Sequence, residues 1–227
     1  MNNQVNTMDL NRDKTFIYSL NRTMYFFIKR LFDILMSIIG IIVMIPIALI
    51  VKISYMLTGD FDSIFYSQKR IGKNGVEFNF YKFRSMIPNA DEVLKELLKN
   101  DKKLAKEYKI NKKLEHDPRV TKMGNILRKT SLDELPQVLN IIKSDMSVVG
   151  NRPYLPREKE DMGIYYNDII KTKPGLTGLW QVSGRSNTTF EERLRFEQEY
   201  SNTYGFKLDI KIFFKTFGAV FKHKGAK

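Results

Sequence analysis

Residues 34–51 read ILMSIIGIIVMIPIALIV, without a single charge. About 18 apolar residues make roughly 27 Å of helix, close to the minimum that crosses a bilayer. Few soluble helices are apolar on every side. The run starts late, lacks a small-residue cleavage site and is followed by Lys52, so it does not read as a cleaved signal peptide. It could lie buried, span the bilayer, or enter and leave on one face. Pro46 sits inside it, where it removes one backbone hydrogen bond and crowds the preceding turn, so a sharp kink is expected. Both flanks are basic: Arg12, Lys14, Arg22, Lys29 and Arg30 precede the run, and Lys52, Lys69, Arg70 and Lys73 follow it. Orienting a span needs charge asymmetry, and here there is little. Basic residues on both sides favour a re-entrant hairpin with both ends on the cytoplasmic face, near anionic lipid.

Working outward, the 227 residues are 43% hydrophobic and 28% charged, enough for a packed domain. The net charge of +13 points to an anionic partner: nucleic acid, anionic lipid or a phosphorylated substrate. Cysteine is absent, which excludes a disulfide framework, a thiol nucleophile and any thiolate metal site. Two histidines, His116 and His223, argue against a zinc site. The first 20 or so residues are polar and expected to be mobile. Residues 64–86 read as two strands joined at Asn74-Gly75, which both accept positive φ. Residues 88–115 suit a solvated surface helix capped by Asp91, with Val93, Leu94, Leu97 and Leu98 at helical spacing. A further helix is expected from Leu132 to Lys143. The tail LDIKIFFKTFGAVFKHK (208–224) alternates aromatic and basic residues and suits either a membrane surface or ordinary packing.

The stretch with chemistry in it is EHDPRVTKMGNILRKTSLDELPQ (115–137). Asp133 and Glu134 are adjacent carboxylates behind Arg119, Lys122, Arg128 and Lys129. Ser131 to Glu134 has the spacing of a capping box, and acids in a first helical turn oppose the helix dipole. That structural role is compatible with a chemical one. A helix N-terminus attracts anions, arginines hold phosphates, and a carboxylate kept ionised there can attack phosphorus. The repulsion between carboxylate and phosphate would need arginine and a divalent cation, for which Mg2+ shared with substrate phosphates is usual. The residues alone therefore point to phosphoryl chemistry at a membrane surface, with an aspartate as candidate nucleophile.

Several separated motifs together resemble the bacterial sugar transferases, the monotopic phosphoglycosyl transferases that start lipid-linked glycan assembly. They are KRLFDI (29–34), the proline-containing apolar run, QKRIGKNG (68–75), FYKFRSM (80–86), DPRVTKMGNILRKTSLDELPQ (117–137), MSVVGNRP (146–153) and KPGLTGLWQVSGR (173–185). The resemblance covers about residues 27–216. It implies transfer of a sugar 1-phosphate from a UDP-sugar to undecaprenyl phosphate with release of UMP, in exopolysaccharide or capsule synthesis at the cytoplasmic face of the bacterial plasma membrane. By the same carry-over Asp133 is the nucleophile, and Glu134 helps it bind Mg2+ or positions the pair. Arg128, Arg119, Arg152, Arg84 and Lys82 are phosphate contacts. Asp33 opens the membrane helix, paired with Lys29 or Arg30, and Pro46 breaks it. The implied fold is α+β and mainly helical, with a re-entrant membrane hairpin, a small β-hairpin and surface amphipathic helices. Its parts are a polar extension (1–26), the re-entrant helix (27–57) and a cytoplasmic catalytic domain (58–227). The oligomeric state is left open, a homodimer included, and so is the sugar, with a hexose preferred.

The pattern is not complete. Asn151 replaces a proline in Gly150-Asn-Arg-Pro153, which is expected to loosen the loop carrying Arg152. The turn TGDFDS (58–63) lacks the common Gly-Pro, and Tyr204-Gly205 stands where a Trp-Ser pair is usual. Trp180 is expected to pack rather than stack on substrate; Arg185 and Gln137 are each as readily structural as functional. Two other classes compete: a non-enzymatic membrane-surface scaffold, which leaves the carboxylate pair unexplained, and a nucleic-acid binder, which has no motif here.

Overall fold

The computed structural model describes residues 7–111, 114–184 and 188–221. Its elements in order are α1 (Thr7–Met56), β1 (Phe65–Ile71), β2 (Glu77–Phe83), α2 (Ala90–Asn100), α3 (Lys102–Asn111), α4 (Lys122–Thr130), a 3-10 segment (Leu132–Gln137) and α5 (Val138–Ile142). There follow β3 (Ser147–Val149), α6 (Tyr166–Ile169), β4 (Gly175–Thr177), α7 (Leu179–Ser183), α8 (Phe190–Thr203) and α9 (Phe206–Phe221). The fold is α+β and mainly helical, with two small sheets. β1 and β2 form the expected antiparallel hairpin, in register from Phe65↔Phe83 to Ile71↔Glu77. Its turn uses positive φ at Asn74 (58°) and Gly75 (80°). β3 and β4 pair in parallel, and their backbones approach so closely that a Cβ on Gly175 would lie 2.1 Å from the Gly150 nitrogen.

One expected helix differs in detail. The run over 88–115 divides at Asp101, whose carboxylate accepts from the Lys103 and Leu104 amides and so starts a new helix, α3. Asp91 does not cap α2; Asn89 holds that position and Asp91 lies inside the first turn. The polar N-terminal residues expected to be mobile are helical from Thr7 onward.

α1 decides the architecture. It continues through Pro46 as one helix, so the break expected of a hairpin does not divide it. Pro46 is exposed, while Met44 before it and Val51 after it are buried against the domain and hold both sides in place. The buried positions Asp33, Ser37, Met44, Val51 and Tyr55 recur at helical spacing on one face. Leu35, Ile38, Ile39, Ile42, Ile45, Leu49, Ile50 and Ile53 are exposed on the others. Among the described residues, the Asn21–Met56 portion is the one helix long and apolar enough to cross a membrane.

The same domain grips α1 along its length. The Asp33 carboxylate accepts from Ser147 Oγ at 3.0 Å and the Val148 amide at 2.8 Å. Arg30 donates to the Ile141 and Ile142 carbonyls at the end of α5. Gly40 admits Val138 so closely that a Cβ there would stand 2.6 Å from a Val138 methyl. About 33 Å of helix beyond Asp33, Tyr55 donates its hydroxyl to the Arg84 carbonyl. α1 supplies Phe32 and Met36 to a cluster around Phe80, Ile141 and Met146. It supplies Met44, Val51 and Tyr55 to a second around Phe83, Leu127 and Val138. α9 buries Ile212 and exposes Phe206, Ile210 and Phe214, an apolar stripe at i, i+4 and i+8. The tail thus packs on one side and offers hydrocarbon on the other.

Asp33→Ala removes the acceptor for two buried donors and is expected to destabilise the protein by about 2 kcal/mol. Ile39→Ala, on the exposed face, is expected to change stability by less than ~0.5 kcal/mol. Denaturant unfolding in one detergent compares the two.

Candidate active site

The carboxylates lie in the first turn of the 3-10 segment that begins the helical run expected from Leu132. Ser131 is left-handed (φ 58°, ψ 15°), makes no capping hydrogen bond through its side chain, and ends α4. The capping box expected at Ser131–Glu134 is therefore absent. The left-handed residue redirects the chain into the 3-10 segment, where positions three apart share a face. Leu132 and Leu135 pack toward the cluster of Phe83, Leu127 and Val138. Asp133 and Glu134 reach Lys82 of β2 instead. Its ammonium lies 3.4 Å from Asp133 Oδ2 and 2.8 Å from Glu134 Oε1. Lys82 shares a strand face with Phe78 and Phe80, and its ammonium sits 5.6 Å from the Phe80 ring centroid.

The two carboxyls differ in environment. The Asp133 side chain is 14% exposed and that of Glu134 40%. Burial pushes the Asp133 carboxyl above the usual range, and the Glu134 charge adds to this against the opposing pull of Lys82 and Arg128. Burial also disfavours the Glu134 charge, but Lys82 and Arg152 outweigh it and hold that carboxyl below the usual range. The sequence expectation that a helix terminus keeps Asp133 ionised is thus replaced: a lysine does that work, incompletely.

The five basic residues expected on phosphate separate into two groups. Arg84 is buried, with two nitrogens on the Asp60 carboxylate at 2.8 and 2.9 Å and Nε on the Ser63 carbonyl. Arg119 is buried against Asp117, donating through Nε at 2.8 Å and through NH2 at 2.6 Å. Both guanidiniums are paired with carboxylates within the fold and act as struts. The unusual turn at 58–63 supplies the partner of Arg84. Lys82, Arg128 and Arg152 remain with the carboxylates. Arg128 uses only Nε, on Ser85 Oγ at 2.9 Å, among the described residues. Arg152 lies 5.7 Å from the Trp180 ring centroid, and its charge reaches Glu134.

Around Arg152 is a feature the sequence did not announce. Arg193 of α8 stands 4.9 Å from the Trp180 centroid and 4.9 Å from that of Phe190. Glu197, one turn on, accepts the Arg152 amide at 2.8 Å, and burial pushes its carboxyl up to about 8. Among the described residues, the buried side-chain polar atoms without a hydrogen-bond partner are Arg70 Nε, Gln137 Nε2, Arg152 Nε, Tyr154 OH, Gln181 Oε1, Arg193 Nε and Glu197 Oε1. All but Gln137 belong to this neighbourhood, where a cationic basin adjoins Asp133 and Glu134. In sequence, Arg193 sits among Glu191, Glu192 and Arg195 and reads as a solvated helix face. No local signal identifies it.

Asn151 does not loosen this loop. Its buried side-chain amide donates to the Ile169 carbonyl, Thr172 Oγ1 and Ser201 Oγ, joining three segments. Trp180 donates its indole N–H to Thr188 while its ring carries the two guanidiniums, so it is both packed and cation-facing. Tyr204 packs on Tyr25 and Phe26 of α1. His116 is exposed. Arg185 and His223 lie outside the described residues.

Among the described residues no group of three or more His, Cys, Asp or Glu could hold a metal ion. Asp133 and Glu134 fit the lesser requirement of Mg2+, one or two carboxylates completed by substrate phosphates.

In comparison with known proteins, the family model described as "Bacterial sugar transferase" matches residues 24–223. "Exopolysaccharide production protein ExoY" of Sinorhizobium fredii is 42% identical over 198 residues, 87% of each chain. "Undecaprenyl-phosphate galactose phosphotransferase" of Salmonella typhimurium is 44% identical over 203 residues, 88% of this chain and 42% of that one. "UDP-glucose:undecaprenyl-phosphate glucose-1-phosphate transferase" of Escherichia coli is 34% identical over 211 residues, 88% of this chain and 41% of that one. The chain thus spans under half the length of the latter two.

The opposite shifts of the two carboxyls are checked by stability. Asp133 holds its proton to higher pH folded than unfolded; its contribution is full below the unfolded value and is lost as pH rises through the folded one. Glu134 contributes above its unfolded value and loses that as pH falls through its folded one. At pH 8, Asp133→Asn is expected to raise the unfolding midpoint and Glu134→Gln to lower it. Both differences shrink on acidification in thermal scans at a series of pH values.

Proposed function

This chain belongs to the bacterial sugar transferase family, and we propose that it transfers a hexose 1-phosphate from a UDP-sugar to undecaprenyl phosphate, releasing UMP. The observation that carries this reading is the Asp133–Glu134 pair, bridged by Lys82 and flanked by the Arg152–Trp180–Arg193 basin. Asp133 Oδ attacks the sugar-linked phosphorus. The bond from that phosphorus to the bridging oxygen breaks, and UMP leaves with the electron pair. A phosphosugar-aspartyl ester remains. An oxygen of undecaprenyl phosphate then attacks the same phosphorus and releases the Asp133 carboxylate. Two displacements let one phosphate subsite receive donor and acceptor in turn. The raised proton affinity of Asp133 goes with nucleophilicity, while Glu134 stays charged.

Arg152 and Arg193 would hold the donor diphosphate, and Arg128 the phosphate nearest Asp133. Lys82 orients both carboxylates and offsets their mutual repulsion. Mg2+, held by Glu134 and Asp133, would neutralise diphosphate oxygens when bound. Relatives named for galactose and for glucose transfer both match, which supports a hexose donor. A surface scaffold would have no use for the carboxylate–lysine bridge.

The apolar helix is proposed to be re-entrant, with the domain on the cytoplasmic face. The support is that Asp33 near one end of the apolar run and Tyr55 near the other bind the same domain, which favours both ends on one face although the helix runs unbroken through Pro46. The exposed faces of α1 and the α9 stripe would enter lipid and set the carboxylates near headgroup depth.

Wild-type protein in membranes is expected to release UMP from a UDP-hexose only with undecaprenyl phosphate in catalytic amounts. Asp133→Asn is expected to lose at least about 10³-fold of turnover, as removal of a nucleophile does. Near-normal turnover in the variant would sink the aspartyl intermediate. The chain has no cysteine, so single cysteines at Asn21 and Thr58 report topology directly. Both are expected to react with an impermeant maleimide in inside-out vesicles and neither in right-side-out ones; opposite behaviour of the two sites would mean a span.

A further inference from the structure

A second cationic cavity lies away from the carboxylates, where the domain meets the start of the apolar run. It has a volume of about 80 Å3, and its lining includes Arg30, Asp33, Lys73, Lys173 and the ring of Tyr25. It is set apart from the reaction centre. Lys73 is in the hairpin turn, whereas Lys82 lies five residues along β2 from Glu77, about 17 Å of strand.

Its charges are unequally matched. Lys29, on the wall, is paired with Asp209, and Lys171 with Asp168. Arg30 spends its hydrogen bonds on two neutral carbonyls of α5, Lys173 on Ser144 Oγ, and Lys73 rests over the Phe26 ring. Among the described residues none of these three cations makes an ion pair with a carboxylate. Asp33 accepts from Ser147 and Val148 and also acts on Lys173, but makes no ion pair with it, and Asp145 acts on Lys143 as well as Lys173. Burial, and the positive charges of Arg30 and Lys73, draw the Lys173 ammonium below its usual range. Cations gathered in a partly enclosed space repel one another unless an anion joins them.

We propose that this cavity binds a phosphate-bearing anion at the membrane boundary, through Arg30, Lys73 and Lys173, as a site separate from the one that carries out the reaction. The size admits a phosphate group: the volume is several times the roughly 10–15 Å3 that holds one water. The position suits a lipid headgroup. Arg30 lies one turn before Ile34, so with the exposed faces of α1 in hydrocarbon the cavity stands at headgroup level. A soluble phosphate offers the same oxygens, and the two sources are separable by experiment.

The test is thermal unfolding of the full chain in maltoside micelles. The probes are dihexanoyl phosphatidylglycerol, inorganic phosphate, and dihexanoyl glycerol, which has the tails without the phosphate. Phosphatidylglycerol is expected to raise the midpoint of the wild type and equally that of Asp133→Asn, so the outcome does not depend on the proposed reaction. Lys73→Gln/Lys173→Gln is expected to weaken the apparent Kd for the probe about tenfold or more, while dihexanoyl glycerol shifts nothing. Protection by phosphatidylglycerol beyond that by inorganic phosphate assigns the site to a headgroup; equal protection assigns it to a soluble phosphate. If no phosphate-bearing probe shifts the wild type, or if the double variant binds as the wild type does, the site does not exist. Should the double variant fail to fold, Lys73→Gln in the exposed turn carries the same expectation, with Lys73→Arg restoring binding.

Discussion

The structure depends on a helix that must satisfy two solvents at once. α1 offers hydrocarbon around most of its circumference, yet along one line it carries Asp33, Ser37, Gly40 and Tyr55, which belong to the domain. That polar line is where α5, β3 and the β2 end of the hairpin attach. Without the Asp33 bonds to β3 and the Tyr55 bond to the Arg84 carbonyl, the domain would have no fixed depth or tilt relative to the apolar surface. Packing makes the attachment specific. Gly40 accepts Val138 directly after the 3-10 segment that carries the carboxylates, so α1 packs against the residue that follows that segment.

Inside the site the electrostatics divide the labour between neighbours in sequence. Asp133 and Glu134 meet the same lysine, but the less exposed of the two keeps its proton more readily, and the more exposed one remains charged. A carboxylate whose charge burial disfavours is costly to the fold and more basic for it, whereas Lys82 and Arg152 favour the charge of its neighbour. The basin around Arg152 continues the pattern. Glu197 is enclosed so completely that it cannot serve as a full countercharge at neutral pH, which leaves the guanidiniums of Arg152 and Arg193 for an incoming anion.

Local signals in the sequence were read correctly where the physics is local. The Asn-Gly turn, the alternation in the hairpin and the apolar run needed only neighbouring residues. The capping box failed because Ser131 has a left-handed backbone, which the pattern of side chains does not reveal. Arg84 looked free because its partner, Asp60, comes 24 residues earlier in an irregular turn. Asn151 looked like a lost proline because the amide's three acceptors are 18, 21 and 50 residues away. Pro46 was over-read, since a proline on an exposed face leaves the docked face of its helix in register. Arg193 and Glu197 enter the site only through the packing of α8 on α7.

The long-range attachment of α1 also sets an order in time. Asp33 is made 114 and 115 residues before the donors that complete it. At a synthesis rate of about 5–20 residues per second, roughly 6 to 23 s separate the emergence of the helix from that of its partners. During that interval the apolar segment is already free to enter the bilayer, with its carboxylate unpaired. The domain is thus completed on a helix that was synthesised well before its partners.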